Sequence, residues 1–185
     1  RKETISYLAG AYFDLVLDFT SSLGFGPTSV CAAIHPSFYT LISSTWVTRL
    51  SSGVLANEML PNCEYKLPEN MLPLTYNYLL EKISAERELS DLLDTDTRVA
   101  SIRLPIMWGK NDHTGRLSFY RTRLLDEGKV IAINGGENLT QIVWSEDVAR
   151  ALSKWIERGM PGDSIILECL PHQGSSVRSV LEAIS

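Results

Sequence analysis

No stretch of these 185 residues stays apolar for the ~20 positions that a membrane-crossing helix needs. Cysteine is scarce: Cys31, Cys63 and Cys169 are odd in number and widely scattered. That spacing argues against a disulfide framework and against a cysteine-based metal site, and points to reduced thiols in a cytoplasmic protein. Positive charge is not in excess, with 17 Lys and Arg against 22 Asp and Glu and a net charge of -5. A basic surface for nucleic acid or for an anionic membrane is thereby disfavoured. Glycine is present but never gathered into a phosphate-cradling turn. The one Gly-x-Gly, Gly24-Phe25-Gly26, runs into Pro27, lacks a third glycine and has no acidic residue about 20 positions on. It reads as a loop before a helix. Repeats and low-complexity tracts are absent as well.

What is there is the composition of an ordinary globular chain, 44% hydrophobic and 21% charged. The length suits one domain with a sizeable core and room for a small second lobe. The near-continuous apolar run over 12–19 reads as a parallel strand buried on both faces, 38–42 as a short buried strand, and 98–104 as another strand. Helical patterns cover 26–35, 75–93, 116–127 and 146–158, the last with Ser145 as a candidate N-cap. Shorter strands are expected at 129–133, 139–144 and 164–169, and a last helix at 175–184. This alternation predicts an open parallel α/β sheet. His35, just before Pro36, reads as a helix-end residue.

Tyr78 and Lys82 lie one helical turn apart, so phenol and ammonium share a face. A free tyrosine has a pKa of about 10 and is a poor base near neutrality. An ammonium close by favours the phenolate and moves it towards useful general-base chemistry. Tyr-x-x-x-Lys alone also fits an ordinary amphipathic helix. Its weight here comes from the serine pair at the end of the upstream strand, Ser43-Ser44, because a hydroxyl there can hydrogen-bond a substrate oxygen as charge moves onto it.

Ile42-Ser43-Ser44-Thr45-Trp46-Val47 resembles the strand end of the extended short-chain dehydrogenases/reductases, the NAD-dependent epimerase/dehydratase family. Tyr78-x-x-x-Lys82-x-x-x-Glu86 is similar to that family's Tyr-x-x-x-Lys with its downstream glutamate. Two later segments follow in the family's order: Ile102-Arg103-Leu104-Pro105 through Trp108-Gly109, and Val143-Trp144-Ser145-Glu146-Asp147-Val148-Ala149. The resemblance implies a Rossmann-like parallel sheet with a small C-terminal substrate-binding lobe. It divides the chain into a dinucleotide-binding part, 1–104 and 140–158, and a smaller lobe, 105–139 and 159–185. It also implies about two upstream βα units of ~30 residues each, and weak cofactor binding by residues 1–185 without them.

Carried over by position, Ser44 is the catalytic serine, Tyr78 the acid/base, and Lys82 its partner, which also holds the nicotinamide ribose of NAD or NADP. Thr20, Ser21, Leu104 and Pro105 are the further candidate cofactor neighbours. Thr45, Trp46, Trp108 and Arg116 are the candidate substrate contacts. Arg116, Arg121 and Arg123 either meet a phosphorylated substrate or form a solvated face. The long polar loop over 48–73 is expected to border the active site.

The expected activity is an NAD(P)-dependent oxidoreductase or epimerase acting at a hydroxyl or carbonyl carbon of a sugar-like or other small substrate. A homodimer is expected through helices 26–35 and 75–93, with Leu79, Ile83 and Ala85 as candidate contacts, core burial being an equal explanation of the apolar ones. No metal, nucleic acid or membrane partner is expected. Departures from the family narrow the reading. Ser44-Thr45-Trp46 lacks the Thr-Asp-Glu of the 4,6-dehydratases, and Leu139-Thr140-Gln141 stands where sugar-nucleotide enzymes carry a diphosphate-gripping arginine. The rival reading is a non-catalytic NAD(P)-binding or RNA-associated scaffold of the same fold.

Overall fold

The computed structural model describes residues 6–21, 25–47, 72–112, 114–160, 165–168 and 174–184. Cys63, Cys169 and most of the 48–73 loop lie outside them. In chain order the elements begin with β1 (Phe13–Asp18), α1 (Pro27–Ile34), β2 (Pro36–Ser44), α2 (Pro73–Ser90) and β3 (Arg98–Leu104). There follow β4 (Ile106–Trp108), α3 (Arg116–Glu127), β5 (Leu139–Thr140), β6 (Ile142–Trp144) and α4 (Ser145–Glu157). The chain ends with β7 (Ile165–Glu168), β8 (Ser175–Ser176) and α5 (Val177–Ile184). Among the described residues no helix is long and apolar enough to cross a membrane.

Two compact units form. The first takes Arg1–Leu104 and Pro161–Glu168, the second Pro105–Met160 and Cys169–Ser185. The first is built on a four-stranded sheet in the order β1-β2-β3-β7, parallel throughout. Its inner strands, β2 and β3, are buried along nearly their whole length, because a parallel strand with a neighbour on each side is covered on both faces. The polar residues they carry, among them Ser101 and Arg103, are buried with them. Successive side chains alternate between those faces. Tyr39, Leu41 and Val99 pack with Val30, Cys31 and Ile34 of α1, with Ala85 and Leu89 of α2, and with Leu92 just beyond it. Pro27 opens α1, where its missing N–H leaves nothing unpaired. His35 ends that helix in the left-handed region (φ 40°), its backbone N–H bonded to the Cys31 carbonyl.

Helix α2 buries Leu79, Lys82, Ile83, Ala85, Glu86 and Leu89, spaced at three and four residues. Leu79, Ile83 and Ala85 are therefore taken by the chain's own core, the second of the two readings the sequence allowed, and do not serve as dimer contacts. Two ionic side chains, Lys82 and Glu86, share that buried stripe.

In the second unit β4 pairs parallel with β6, and β5 antiparallel with β8. Residues 140–158, grouped from the sequence with the first part of the chain, fall in this unit. Arg178 ties α5 to the turn at 133–136, donating to Glu137 Oε1 (3.0 Å) and to the Gly135 carbonyl (2.7 Å). Gly136 (φ 81°) passes so close to the Arg178 backbone that a Cβ would come within 3.0 Å of it.

Two local expectations fail here. Residues 129–132 make no ladder among the described residues, and Ile133–Gly136 is a tight 3₁₀ turn, which leaves Ile131 and Ile133 exposed. Ser145 is the first helical residue and not the cap. Its hydroxyl donates to Glu146 Oε2 (2.9 Å), and Trp144 holds the cap position without a side-chain cap bond.

Candidate active site

The carboxyl ends of β1, β2 and β3 lie on one edge of the parallel sheet, with Ser44 registered against Leu104. This is the edge at which open α/β sheets bind ligands. Beyond Ser44 the chain turns at once into a 3₁₀ turn, Thr45–Val47. The Trp46 N–H donates to Ser44 Oγ (3.2 Å), a serine turn that ends the strand and fixes the hydroxyl. Ser44 accepts this bond, so its own proton can be donated elsewhere. Val47 then docks on Leu79 and Ile83, which joins the turn to α2.

Lys82 is almost fully buried, and its Nζ donates to the Ile42 carbonyl (2.8 Å), two residues before Ser44. The same ammonium lies 5.9 Å from the centroid of the Tyr78 ring. Tyr78 itself is 45% exposed, open to a substrate from outside. The residues singled out from a strand end and from a helix 34 positions later thus meet through one lysine. A serine with a proton to give, a phenol open to solvent and an ammonium beside the phenol ring can exchange a proton with an alcohol or carbonyl.

The other candidates distribute unevenly. Thr45 is buried beside Ser44, and Trp46 is half-exposed at the turn. Leu104 is buried as the register partner of Ser44, while Pro105 opens the second unit. Trp108 and Arg116 both belong to that unit. Trp108 is buried in β4, its indole N–H without a partner among the described residues, and Arg116 is exposed at the start of α3.

Thr20 and Ser21 turn back on the chain. Asp18 accepts from the Thr20 N–H (2.7 Å), the Thr20 hydroxyl (3.2 Å), the Ser21 hydroxyl (2.6 Å) and the Tyr39 phenol. Burial, then the Asp18 charge, pushes the Tyr39 phenol far above its ordinary range. The same two causes push the Cys31 thiol up to about 12.

Two features were not foreseen. Glu88 of α2 reaches the first turn of α1, where its Oε2 accepts from the Thr28 N–H (3.3 Å) and hydroxyl (2.8 Å). The helix that Gly26 precedes therefore meets a carboxylate from its own chain, and a Cβ at Gly26 would meet that carboxylate and displace it. The second is an ion pair between Glu86 and Arg103, both fully buried. No group of three or more His, Cys, Asp or Glu able to hold a metal occurs among the described residues.

No family model and no curated protein matches the chain. Solved structures do. A double mutant of the dTDP-glucose 4,6-dehydratase of Streptomyces venezuelae, with NAD bound, aligns over 100% of this chain and 60% of its own, at 14% identity and a TM-score of 0.72. The UDP-glucuronic acid 4-epimerase of Bacillus cereus, in complex with NAD, aligns over 92% and 59%, at 15% identity and a TM-score of 0.67. The UDP-glucose 4-epimerase of Thermotoga maritima, with UDP-glucose, aligns over 80% and 46%, at 18% identity and a TM-score of 0.56.

The chain shares the fold of these enzymes. It is the Rossmann-like α/β fold expected from the sequence. The chain spans between 46% and 60% of the length of these three structures.

Proposed function

We propose that this protein is an NAD-dependent oxidoreductase or epimerase acting at a hydroxyl or carbonyl carbon of a sugar-like small molecule. The observation that carries the reading is the buried Lys82 ammonium, bonded to the strand that bears Ser44 and lying beside the ring of an exposed Tyr78. Tyr78, as phenolate, takes the proton of the substrate hydroxyl, or as phenol returns it to a carbonyl oxygen. Lys82 favours the phenolate by its charge. Ser44 donates a hydrogen bond to the same oxygen, and Trp46 and Thr45 flank the place where the substrate sits.

The residues at this sheet edge fit the reacting end of a nicotinamide cofactor, with Lys82 the donor that would hold it. NAD, when bound, supplies the acceptor and donor of hydride at the adjacent carbon. The similar solved enzymes that contain NAD support that cofactor over NADP. The pyrophosphate has no place at α1, where Glu88 already meets the first turn. The absence of an acidic pair after Ser44 favours oxidation, reduction or epimerisation over dehydration. A homodimer built on α2 would use exposed side chains such as Tyr76 and Leu80.

The test is turnover of UDP-glucose with NAD, read as nicotinamide absorbance and as sugar products by NMR. Tyr78→Phe is expected to lower turnover by ~10²–10⁴-fold, with NAD affinity kept. Unchanged turnover in that variant removes the acid/base role.

A further inference from the structure

We infer that the buried Glu86–Arg103 pair is a positioning device that sets the register of α2 against β2 and β3, so that Tyr78 and Lys82 are held at Ser44. The inference rests on the acid/base reading of Tyr78.

The pair spans the two halves of the candidate site. Glu86 lies four residues after Lys82 and eight after Tyr78, on the same face of α2. Arg103 is the register partner of Ser43 and the neighbour of Leu104, which is the register partner of Ser44. Arg103 Nε donates to Glu86 Oε1 (3.0 Å) and Nη2 to Oε2 (2.7 Å), while the Ser101 hydroxyl donates to Oε1 (3.0 Å). Both charged side chains are fully buried. A forked guanidinium on a carboxylate fixes direction as well as distance.

The apolar stripe of α2 fixes which face of the helix is buried, but not the direction of individual side chains. Leu79, Ile83, Ala85 and Leu89 are buried, and burial of apolar surface is non-directional. Slipping the helix by one residue moves it about 1.5 Å and turns it about 100°. A misplacement of about 1 Å is already enough to spoil reacting geometry. The bidentate pair and the Lys82 bond to the Ile42 carbonyl are lost on such a slip, and the second of these belongs to the site itself. A buried ion pair is often no more stabilising than apolar residues of the same volume. The energetic case for keeping one at this point is therefore geometric.

The experiment separates register from stability. The double variant Glu86→Leu/Arg103→Met replaces the pair with apolar side chains, and Arg103→Lys keeps the charge while removing the fork. For each, thermal melting reports the fold. A ¹³Cζ-tyrosine NMR titration, assigned with Tyr78→Phe, reports the phenol of Tyr78 without substrate or cofactor. The expected result is a folded protein in which the Tyr78 titration moves up from its position in the unsubstituted protein, because the ammonium no longer stands beside the ring. A merely structural pair would leave it in place. A depressed Tyr78 value unchanged in whichever variants fold overturns the positioning role alone. A Tyr78 that titrates like free tyrosine in the unsubstituted protein overturns the acid/base reading, and the positioning role with it.

Discussion

Two carboxylates are buried among the described residues of the first compact unit, and they are satisfied in different ways. Asp18, at the end of β1, accepts from neutral donors among the described residues, including a backbone N–H, two aliphatic hydroxyls and a phenol. Glu86, on α2, is met by a guanidinium fork and one hydroxyl. The consequence is visible in the neighbours. The Asp18 charge reaches Tyr39 and Cys31 and adds to the effect of burial on both. The Glu86 charge is opposed where it stands. Hydroxyls hold a buried carboxylate and pass its field on to the surroundings; an arginine holds it and cancels the field, at the cost of depending on that one partner.

The sharpest way to break this contrast is to remove one half of the ion pair. Glu86→Leu leaves the Arg103 guanidinium buried without its counter-charge. The expected loss is about 3–5 kcal/mol of unfolding free energy, measured by urea denaturation. The double variant with Arg103→Met should recover most of it. A single variant as stable as the double would mean that solvent reaches Arg103 in the folded protein.

The Asp18 side of the contrast is tested by alkali. The folded protein holds the Cys31 thiol proton up to about 12, against an ordinary value near 9.0, and holds the Tyr39 proton well above 10.0. Above pH ~9 the unfolded chain therefore binds fewer of these protons than the folded one. The stabilisation from these groups is complete below pH ~9 and is lost as pH rises from there towards 12, by at most about 1.4 kcal/mol per pH unit for each group. Urea midpoints at pH 8, 10 and 11 read this directly. Cys31→Ala should remove the part of the slope that begins at pH ~9, and an unaltered slope in that variant would assign it to other groups.

Which of these features could be read from the sequence follows from the range of the interactions. The inner strands were legible from their concentration of apolar residues, as expected of parallel strands covered on both faces, and Arg98–Leu104 is bounded as expected although Ser101 and Arg103 interrupt it. Tyr78 and Lys82 were legible because one helical turn is a local spacing. Glu86 and Arg103 were each visible as parts of motifs, but their pairing was not, since it depends on how α2 lies over β3. Thr20 and Ser21 looked like free hydroxyls at a strand end. Asp18, two and three residues earlier, takes both, and a short polar cluster of this kind satisfies itself before any ligand arrives. The 129–133 strand has no ladder partner among the described residues, and apolar residues without a neighbouring edge do not make a ladder.

The smallest expected effect comes from a third carboxylate, Glu88, which stands between the two buried ones in character. It is only partly buried, and it is met by a backbone N–H and a hydroxyl at a helix N-terminus, 60 residues away in sequence. The role is that of an N-cap supplied from outside the helix. Gly26 occupies the cap position without a side chain, and α1 carries no acidic residue in its own first turn. Glu88→Ala leaves the Thr28 N–H to solvent and removes a negative charge from the positive end of α1. Caps of this kind contribute about 0.5–2 kcal/mol, and the exposure of the site places the expected loss near 1 kcal/mol in urea denaturation. Glu88→Gln keeps an acceptor oxygen and should recover about half, because the hydrogen bond survives while the interaction of charge with the helix end does not. Amide hydrogen exchange gives the location: protection should fall in the first turn of α1, at Thr28 and Ser29, and hold at Ile34. Loss spread evenly over the first unit would show that Glu88 supports α2 packing and does not cap α1.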